Sequence, residues 1–365
     1  MARVRISDVA AAAGVSVTTV SLVLNDAPSR ISQETRDRVR AAAESVGYAP
    51  SALARGLRQQ RTHTVGLISD QIATTPFAGR MLAGAQDVAR DQGELVFLID
   101  TGSDRDVEQS AIRALAAQQV DATIYAAMWH QVVAVPEGLP ADTVFLDCRP
   151  RTGNGRSVVP DDHGGGVAAT RELVDAGHRR VAFVDTSEQP DRPIAAELRL
   201  AGYLEVLRDA GITPDPALHV HGETSARGGR EAVQTLLDLP DEQRPTALFC
   251  FNDRMAAGAY TAVHRRGLRI PDDISIIGYD DQQLVAAELD PPLTTVALPH
   301  YDMGRWAMEV ALGIRAVEEE DATHQMECPV VRRDSVGPPP AQVAKPNRRR
   351  TSQHTERSPQ ATTDR

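Results

Sequence analysis

The feature that most constrains this chain is a change of period at residue 63. Beyond it, short apolar runs return about every 30 residues with helical stretches between them. They are Val65–Ile68, Leu95–Ile99, Ala122–Tyr125 and Val144–Leu146, then Val181–Val184, Ala247–Phe251 and Ile274–Ile277. Runs apolar on both faces belong to parallel strands covered by helices, so the pattern predicts doubly wound parallel sheets. About nine strands are many for one open sheet, which divides the body into two similar lobes. Ligands of such sheets sit at the carboxyl ends of strands. Here those ends carry Asp70, Asp100, Asp147, Asp185, Asp253 and Asp280. Carboxylates around a cleft suit ligand hydroxyls or a cationic group, although aspartate directly after a strand also caps the next helix.

The first 50 residues have a helical period instead. Ile6 to Ala13 places Val9, Ala10 and Ala13 on one face and stops at Gly14. Ser16 is positioned to cap a second helix whose inner stripe is Val20, Val23 and Leu24. A third runs from Ser32, with Val39, Ala42, Ala43 and Val46 inward, to Gly47. Two short helices around a tight glycine turn have helix-turn-helix spacing, though a plain three-helix bundle shares it. With Val20, Val23 and Leu24 inside, Val17, Thr18, Ser21 and Leu22 form the outer stripe. Exposed Val, Thr and Leu suit thymine methyl groups in a major groove. The segment Ala52 to Leu57, with Arg55, Arg58 and Arg61 around it, is too short for a stable isolated helix and would order against a partner.

Charge follows the same division. The chain of 365 residues has net charge −11, but residues 1–62 hold nine arginines against five acidic residues, and residues 338–365 hold six basic against two acidic. A basic head on an acidic body is expected when only the head meets phosphate. Lys345 is the sole lysine, so charged phosphate contacts in the head fall to arginine. The tail from Pro338 has almost no apolar residues and reads as disordered.

Enzymatic signatures are missing. There is no P-loop, GxSxG, HExxH or kinase motif. Gly164–Gly166 lacks dinucleotide spacing and reads as a loop. His163 and His178 have no neighbouring nucleophile or metal partner, and Asp161-Asp162-His163 is too compressed for a metal set. Cys148, Cys250 and Cys328 are odd in number and widely spaced, as reduced thiols are. The expectation is no catalytic residue, no metal and no cofactor. The start MARVRISDVA has no apolar core, and no run of about 18 apolar residues occurs, so the reading is a cytoplasmic, nucleoid-associated protein with no membrane partner.

Several stretches now carry a resemblance. ISDVAAAAGVSVTTVSLVLN followed by ISQETRDRVRAAAESVGYAPSALARGLR resembles the DNA-binding head and hinge of the lactose-repressor (LacI/GalR) family. In the body TVGLI, Pro76-Phe77, VVPDD, ELVDAGHRRVAFV, LRLAGY, FNDRMAAGAY, IPDDISIIGYDD and PPLTTV follow in that family's order, so the likeness covers residues 4 to about 337. It implies an α helix-turn-helix head on an α/β, two-lobed, periplasmic-binding-protein-like body with two doubly wound parallel sheets. The implied domains are a head at 1–48, a hinge at 49–62 and a body at 63–337. Its N-lobe is about 63–163 and 296–325, its C-lobe about 164–295 and 326–337, and a disordered tail follows at 338–365.

The resemblance further implies a homodimeric repressor on a near-palindromic double-stranded DNA operator, switched by a small sugar-like effector between the lobes. Its base-reading positions align with Val17, Thr18 and Leu22, and with Ser16 and Ser21 these make up the expected major-groove residues. Its minor-groove hinge aligns with Ala54, Arg55, Leu57 and Arg58, Leu57 being the wedge that kinks the duplex. Leu22 departs from the arginine of the lactose repressor and cannot fork onto guanine, so an apolar contact is expected there. Effector positions align with Phe77, Asp147, Glu197, Asn252 and Asp280. Glu197 stands where the ligand-binding arginine is expected and Leu298 where the lactose repressor has glutamine. Loss of the arginine argues against an effector held by its own carboxylate or phosphate. No leucine heptads follow Val336, so the expected oligomer is a dimer. A solute-binding protein shares the body fold; the basic head and the missing leader speak against it.

Overall fold

A computed structural model describes residues 4–25, 29–48, 61–72, 75, 78–152, 155–186, 192–317 and 323–340. The hinge positions Ala54, Arg55, Leu57 and Arg58, the aromatic Phe77 and the tail from 341 lie outside the described residues.

The head is three helices, α1 (Ile6–Ala13), α2 (Val17–Leu24) and α3 (Gln33–Ser45). Gly14 closes α1 at φ 65°, a left-handed conformation in which a β-carbon would be strained, and turns the chain by 102° into α2. The Ser16 hydroxyl accepts from the Thr19 N–H at 3.0 Å, satisfying one of the amides that the start of α2 leaves open. Ser32 does the same for α3 through Thr35. Val9, Ala10, Ala13, Val20, Val23, Val39, Ala42 and Ala43 form one buried cluster, and Leu24 and Val46 pack half-buried against it.

The body holds two six-stranded sheets. The first runs β11-β5-β4-β3-β1-β2, built from β1 (Thr64–Ser69), β2 (Leu95–Asp100), β3 (Ala122–Val133), β4 (Val144–Pro150), β5 (Ser157–Pro160) and β11 (Thr323–Met326). The second runs β12-β10-β9-β8-β6-β7, from β6 (Val181–Thr186), β7 (His219–Gly222), β8 (Ala247–Cys250), β9 (Ser275–Asp280), β10 (Thr294–Ala297) and β12 (Val330–Val331). All neighbouring strands are parallel except β10 and β12. The chain passes between lobes three times: after β5, after β10 and between β11 and β12. The apolar runs fall in seven of the strands; the other five, β5, β7, β10, β11 and β12, hold at most two consecutive apolar residues each and so do not stand out as runs.

Helices cover the sheets. In the first lobe α4 (Gly79–Asp91) packs on α10 (His300–Ala311), with α5 (Arg105–Gln118) on the other face. In the second, α6 (Asp162–Asp175) packs on α7 (Ile194–Asp209), and α8 (Ala226–Leu237) on α9 (Asp253–Arg265). Gly164–Gly166, expected in a loop, lies inside α6. The physical reason is closeness: a β-carbon on Gly166 would stand 2.5 Å from the Arg199 carbonyl oxygen, and one on Gly202 of α7 would stand 2.5 Å from that of His163. The glycines let two helices approach backbone to backbone. His178 is buried and lies within hydrogen-bond distance of Thr246, Ser275 and the Gly337 carbonyl. Cys148, Cys250 and Cys328 are buried and unpaired with one another.

Candidate functional site

In the head, the outer face of α2 follows from the helical period. Val17 is 45% exposed, Ser16 and Thr18 are exposed, and Ser21 and Leu22 are half-buried, while Val20 and Val23 are sealed inside. Arg5 and Arg30 bracket this helix in sequence, and Arg36, Arg38 and Arg40 follow on α3.

The second site lies between the lobes, at the carboxyl ends of the strands. Five of the six strand-end aspartates divide by task; the sixth, Asp185, stands against His219 of β7. Asp70 accepts from the Gln71 and Met128 amides, Asp100 from Gly102, and Asp253 from Thr295 and the Gln282 amide, so these three build loops. Asp147 and Asp280 instead line the cleft with Met128, Trp129 and His130 of β3, Arg199 of α7, Phe251 and Leu298. A cavity of about 300 Å³ continues from it, sharing Asp280 and Leu298 and reaching Arg80, Arg254 and His300. Asp147 and Asp280 have φ of 56° and 105°, a conformation that side chains other than glycine resist. Strained residues of this kind concentrate at ligand sites.

A buried ionic cluster joins the lobes across this cleft. The Arg199 Nε donates to Asp162 Oδ1 at 2.8 Å and Nη1 to the Phe251 carbonyl at 2.7 Å. Its guanidinium lies 3.5 Å from the centre of the Tyr279 ring and 4.6 Å from that of Phe251. The other Asp162 oxygen meets His130 Nδ1 at 2.8 Å, so one carboxylate ties β3 of the first lobe to α7 of the second. Burial alone would raise the Asp162 pKa, but Arg199 and His130 outweigh it and hold the carboxylate below its ordinary range. Asp280 stands 3.8 Å from Arg199; burial pushes its pKa up to about 6 against that attraction. Asp147 is pushed well above the ordinary range by burial first and then by the charge of Asp162, which favours its protonated form. Among the described residues, the buried polar atoms without a hydrogen-bond partner include His130 Nε2, Asp147 Oδ1 and Asn252 Nδ2. The first two belong to side chains lining the cleft.

Glu197 is corrected. It is exposed in the first turn of α7 and does not line the cleft. Two residues along a helix turn a side chain by about 200°, and the arginine that enters the cleft is Arg199. The inference that the cleft lacks an arginine falls with it. Asn252 has a structural duty: its Oδ1 accepts from the Met255 N–H at 2.9 Å and caps α9, leaving only its Nδ2 to offer. His130 and Trp129 were missed because β3 does not stop at Tyr125; it carries on past an irregularity between Ala126 and Gln131, which brings both residues into the cleft. The LRLAGY motif held the signal for Arg199. Among the described residues, one set has metal-ligating character: Asp185 at the end of β6 with His219 and His221 of β7.

Comparison with known proteins gives the following likenesses. A family model described as bacterial regulatory proteins, lacI family, matches residues 5–51, and one described as a periplasmic binding protein-like domain matches residues 170–336. The HTH-type transcriptional repressor PurR of Aliivibrio fischeri (strain MJ11) is 33% identical over 335 residues, covering 91% of this chain and 98% of the relative. The crystal structure of the Lac repressor dimer bound to operator and the anti-inducer ONPF has a TM-score of 0.75 at 27% identity, over 92% of this chain and 100% of that one. A complex of the transcriptional regulator CelR with cellobiose has a TM-score of 0.59 at 27% identity, over 91% of this chain and 100% of that one.

Proposed function

This chain belongs to the lacI family of bacterial regulatory proteins, whose members matched here are DNA-binding repressors and not enzymes, and we propose that it is an operator-binding repressor switched by a neutral, sugar-like effector held between its lobes. The proposed parts are a head at 1–48, a hinge at 49–62 and an effector-binding body at 63–337. Ser16, Val17, Thr18, Ser21 and Leu22 are the proposed major-groove residues. Ala54, Arg55, Leu57 and Arg58 are proposed for the minor groove at the centre of a near-palindromic operator.

The observation that carries the effector reading is the pair of buried, unpartnered atoms on the cleft wall, His130 Nε2 and Asp147 Oδ1. Unmet buried polar atoms are costly, and ligand hydroxyls would satisfy both. Arg199 does not argue for an anion, because Asp162 and Asp280 already balance it. A protonated Asp147 both donates and accepts, as a hydroxyl needs. Asp280 adds a polar partner, and Trp129 and Phe251 supply apolar walls for a sugar ring, to which the family resemblance adds Phe77. The cellobiose complex of the CelR regulator is a relative with a sugar of this class.

Coupling needs only a few kcal/mol of differential affinity between two lobe arrangements to release DNA. The Lac repressor structure is a dimer on operator, and here the edge strand β2 exposes Leu95 and Phe97 on one face, which supports a homodimer. The experiment is selection of bound fragments from sheared genomic DNA, followed by titration of the complex with neutral sugars, sugar acids and amines. A short near-palindrome released or tightened by a neutral sugar supports the reading. A response confined to sugar acids or phosphates would sink the neutral-ligand assignment.

A further inference from the structure

We propose that Asp185, His219 and His221 form a binding site for a divalent transition metal of the zinc class on the second lobe, separate from the ligand set of the cleft. Their candidate ligand atoms all lie within 4.8 Å of one another. Tetrahedral zinc with bonds of about 2.0–2.1 Å places neighbouring ligand atoms about 3.3 Å apart, so small side-chain rotations close the set. His219 and His221 are two apart on β7 and therefore share a face of the sheet; their ring centres are 4.4 Å apart. The site draws on neither histidine or aspartate of the cleft.

Each ligand is already oriented. Asp185 is fully buried, and its Oδ1 accepts from the Thr186 N–H at 2.7 Å, which leaves Oδ2 facing the histidines. Oδ2 stands 2.9 Å from His219 Nε2. His221 Nδ1 lies 2.9 Å from the Thr186 carbonyl oxygen. A carbonyl only accepts, so that nitrogen carries the proton and Nε2 keeps the lone pair a metal needs. Such a second contact fixes the tautomer of metal-ligating histidines. The Phe183 ring stacks beside His219 at 5.7 Å and limits its rotation.

The present cation on Asp185 is Arg192, whose guanidinium hydrogen-bonds Oδ2 and is only 17% exposed. A buried carboxylate must keep a positive partner. Metal entry therefore exchanges one cation for another: Arg192 leaves Oδ2, and His219 moves its proton from Nε2 to Nδ1 as Nε2 turns to the metal. Two imidazoles and one carboxylate leave a fourth position for water, and imidazole donors favour zinc, nickel or copper over magnesium or calcium.

The exchange predicts opposite signs for neighbouring substitutions. Untagged full-length protein is titrated with zinc chloride by calorimetry, with cobalt(II) visible absorption as the spectroscopic readout. One zinc per chain is expected, with His219→Gln and His221→Gln each weakening binding by about tenfold or more. Arg192→Gln removes the competitor and is expected to tighten binding severalfold, a gain that misfolding cannot mimic. Zinc should raise the melting temperature of the wild type and of Arg192→Gln but not of the double histidine variant. No zinc binding up to ~100 μM, unchanged affinity in the double histidine variant, or weaker binding in Arg192→Gln would each overturn the site.

Discussion

Replacing Arg199 with methionine tests whether the inter-lobe ionic cluster is a structural element. Methionine keeps much of the volume, so the change is chiefly electrostatic. It removes the donor to Asp162 at 2.8 Å and the donor to the Phe251 carbonyl at 2.7 Å, both buried. Breaking one side of a buried ion pair costs about 3–5 kcal/mol, because the remaining carboxylate is uncompensated. With a urea slope of about 3 kcal/mol/M, the unfolding midpoint should fall by about 1–1.7 M. The pH dependence has a definite sign. The folded pKa of Asp162 is depressed, so its contribution is present above the ordinary value of 3.8 and is lost as pH falls through the folded value. The deficit of the variant is therefore largest near neutrality and narrows below about pH 4. Adding Asp162→Asn should recover part of the loss, since the stranded charge is gone. A midpoint shift below about 0.3 M at pH 7, or a double variant worse than the sum of the singles, would refute the reasoning.

Further predictions concern each level of the structure. Gly202→Ala should destabilise the body by about 1–3 kcal/mol despite alanine's better helix propensity, because its β-carbon would stand 2.5 Å from the His163 oxygen and 2.6 Å from the Val167 nitrogen, both backbone atoms that cannot yield; thermal melting checks this. Leu22→Arg should change the half-site recovered by selection on random DNA, favouring guanine at one position, and an unchanged motif would remove Leu22 from base reading. Asp280→Asn should gain stability relative to the wild type as pH rises from about 4 to 6, because the wild-type carboxyl, raised to about 6, holds a proton in the folded state that the unfolded chain releases earlier. A melting-temperature difference flat across that range would contradict the buried placement of Asp280.

How much was legible depended on whether a signal was local. The head was nearly complete, since a glycine turn, a serine cap and two inner stripes each act within one turn of helix. The strand centres were legible for the same reason: a run of consecutive apolar residues is a local signal of a strand, although it did not tell the edge strand β2, which exposes Leu95 and Phe97, from strands buried on both faces. The two-residue strand β12 and its antiparallel pairing with β10 have no local pattern; long-range pairing alone makes them strands. Gly164–Gly166 misled because glycine ordinarily marks a loop, whereas here its lack of a side chain serves the approach of α6 to α7.

The effector cleft shows the same limit with larger consequences. The strand-end aspartates were legible as a class, but composition cannot divide Asp147 and Asp280, which face the cleft, from Asp70, Asp100 and Asp253, which hold loops. The Glu197 and Arg199 case is sharper. A shift of two residues along a helix moves a side chain to the opposite face. Placing glutamate at the cleft implied a preference for neutral or cationic ligands by default. Arg199 in the cleft would by itself imply the reverse. What restores the neutral reading is its pairing with Asp162 and Asp280, which no reading of one position supplies. The proposed neutrality of the effector thus rests on the sum over a buried cluster drawn from α6, α7, β3, β4 and β9, and its proposed chemistry on which atoms of that cluster are left without a partner.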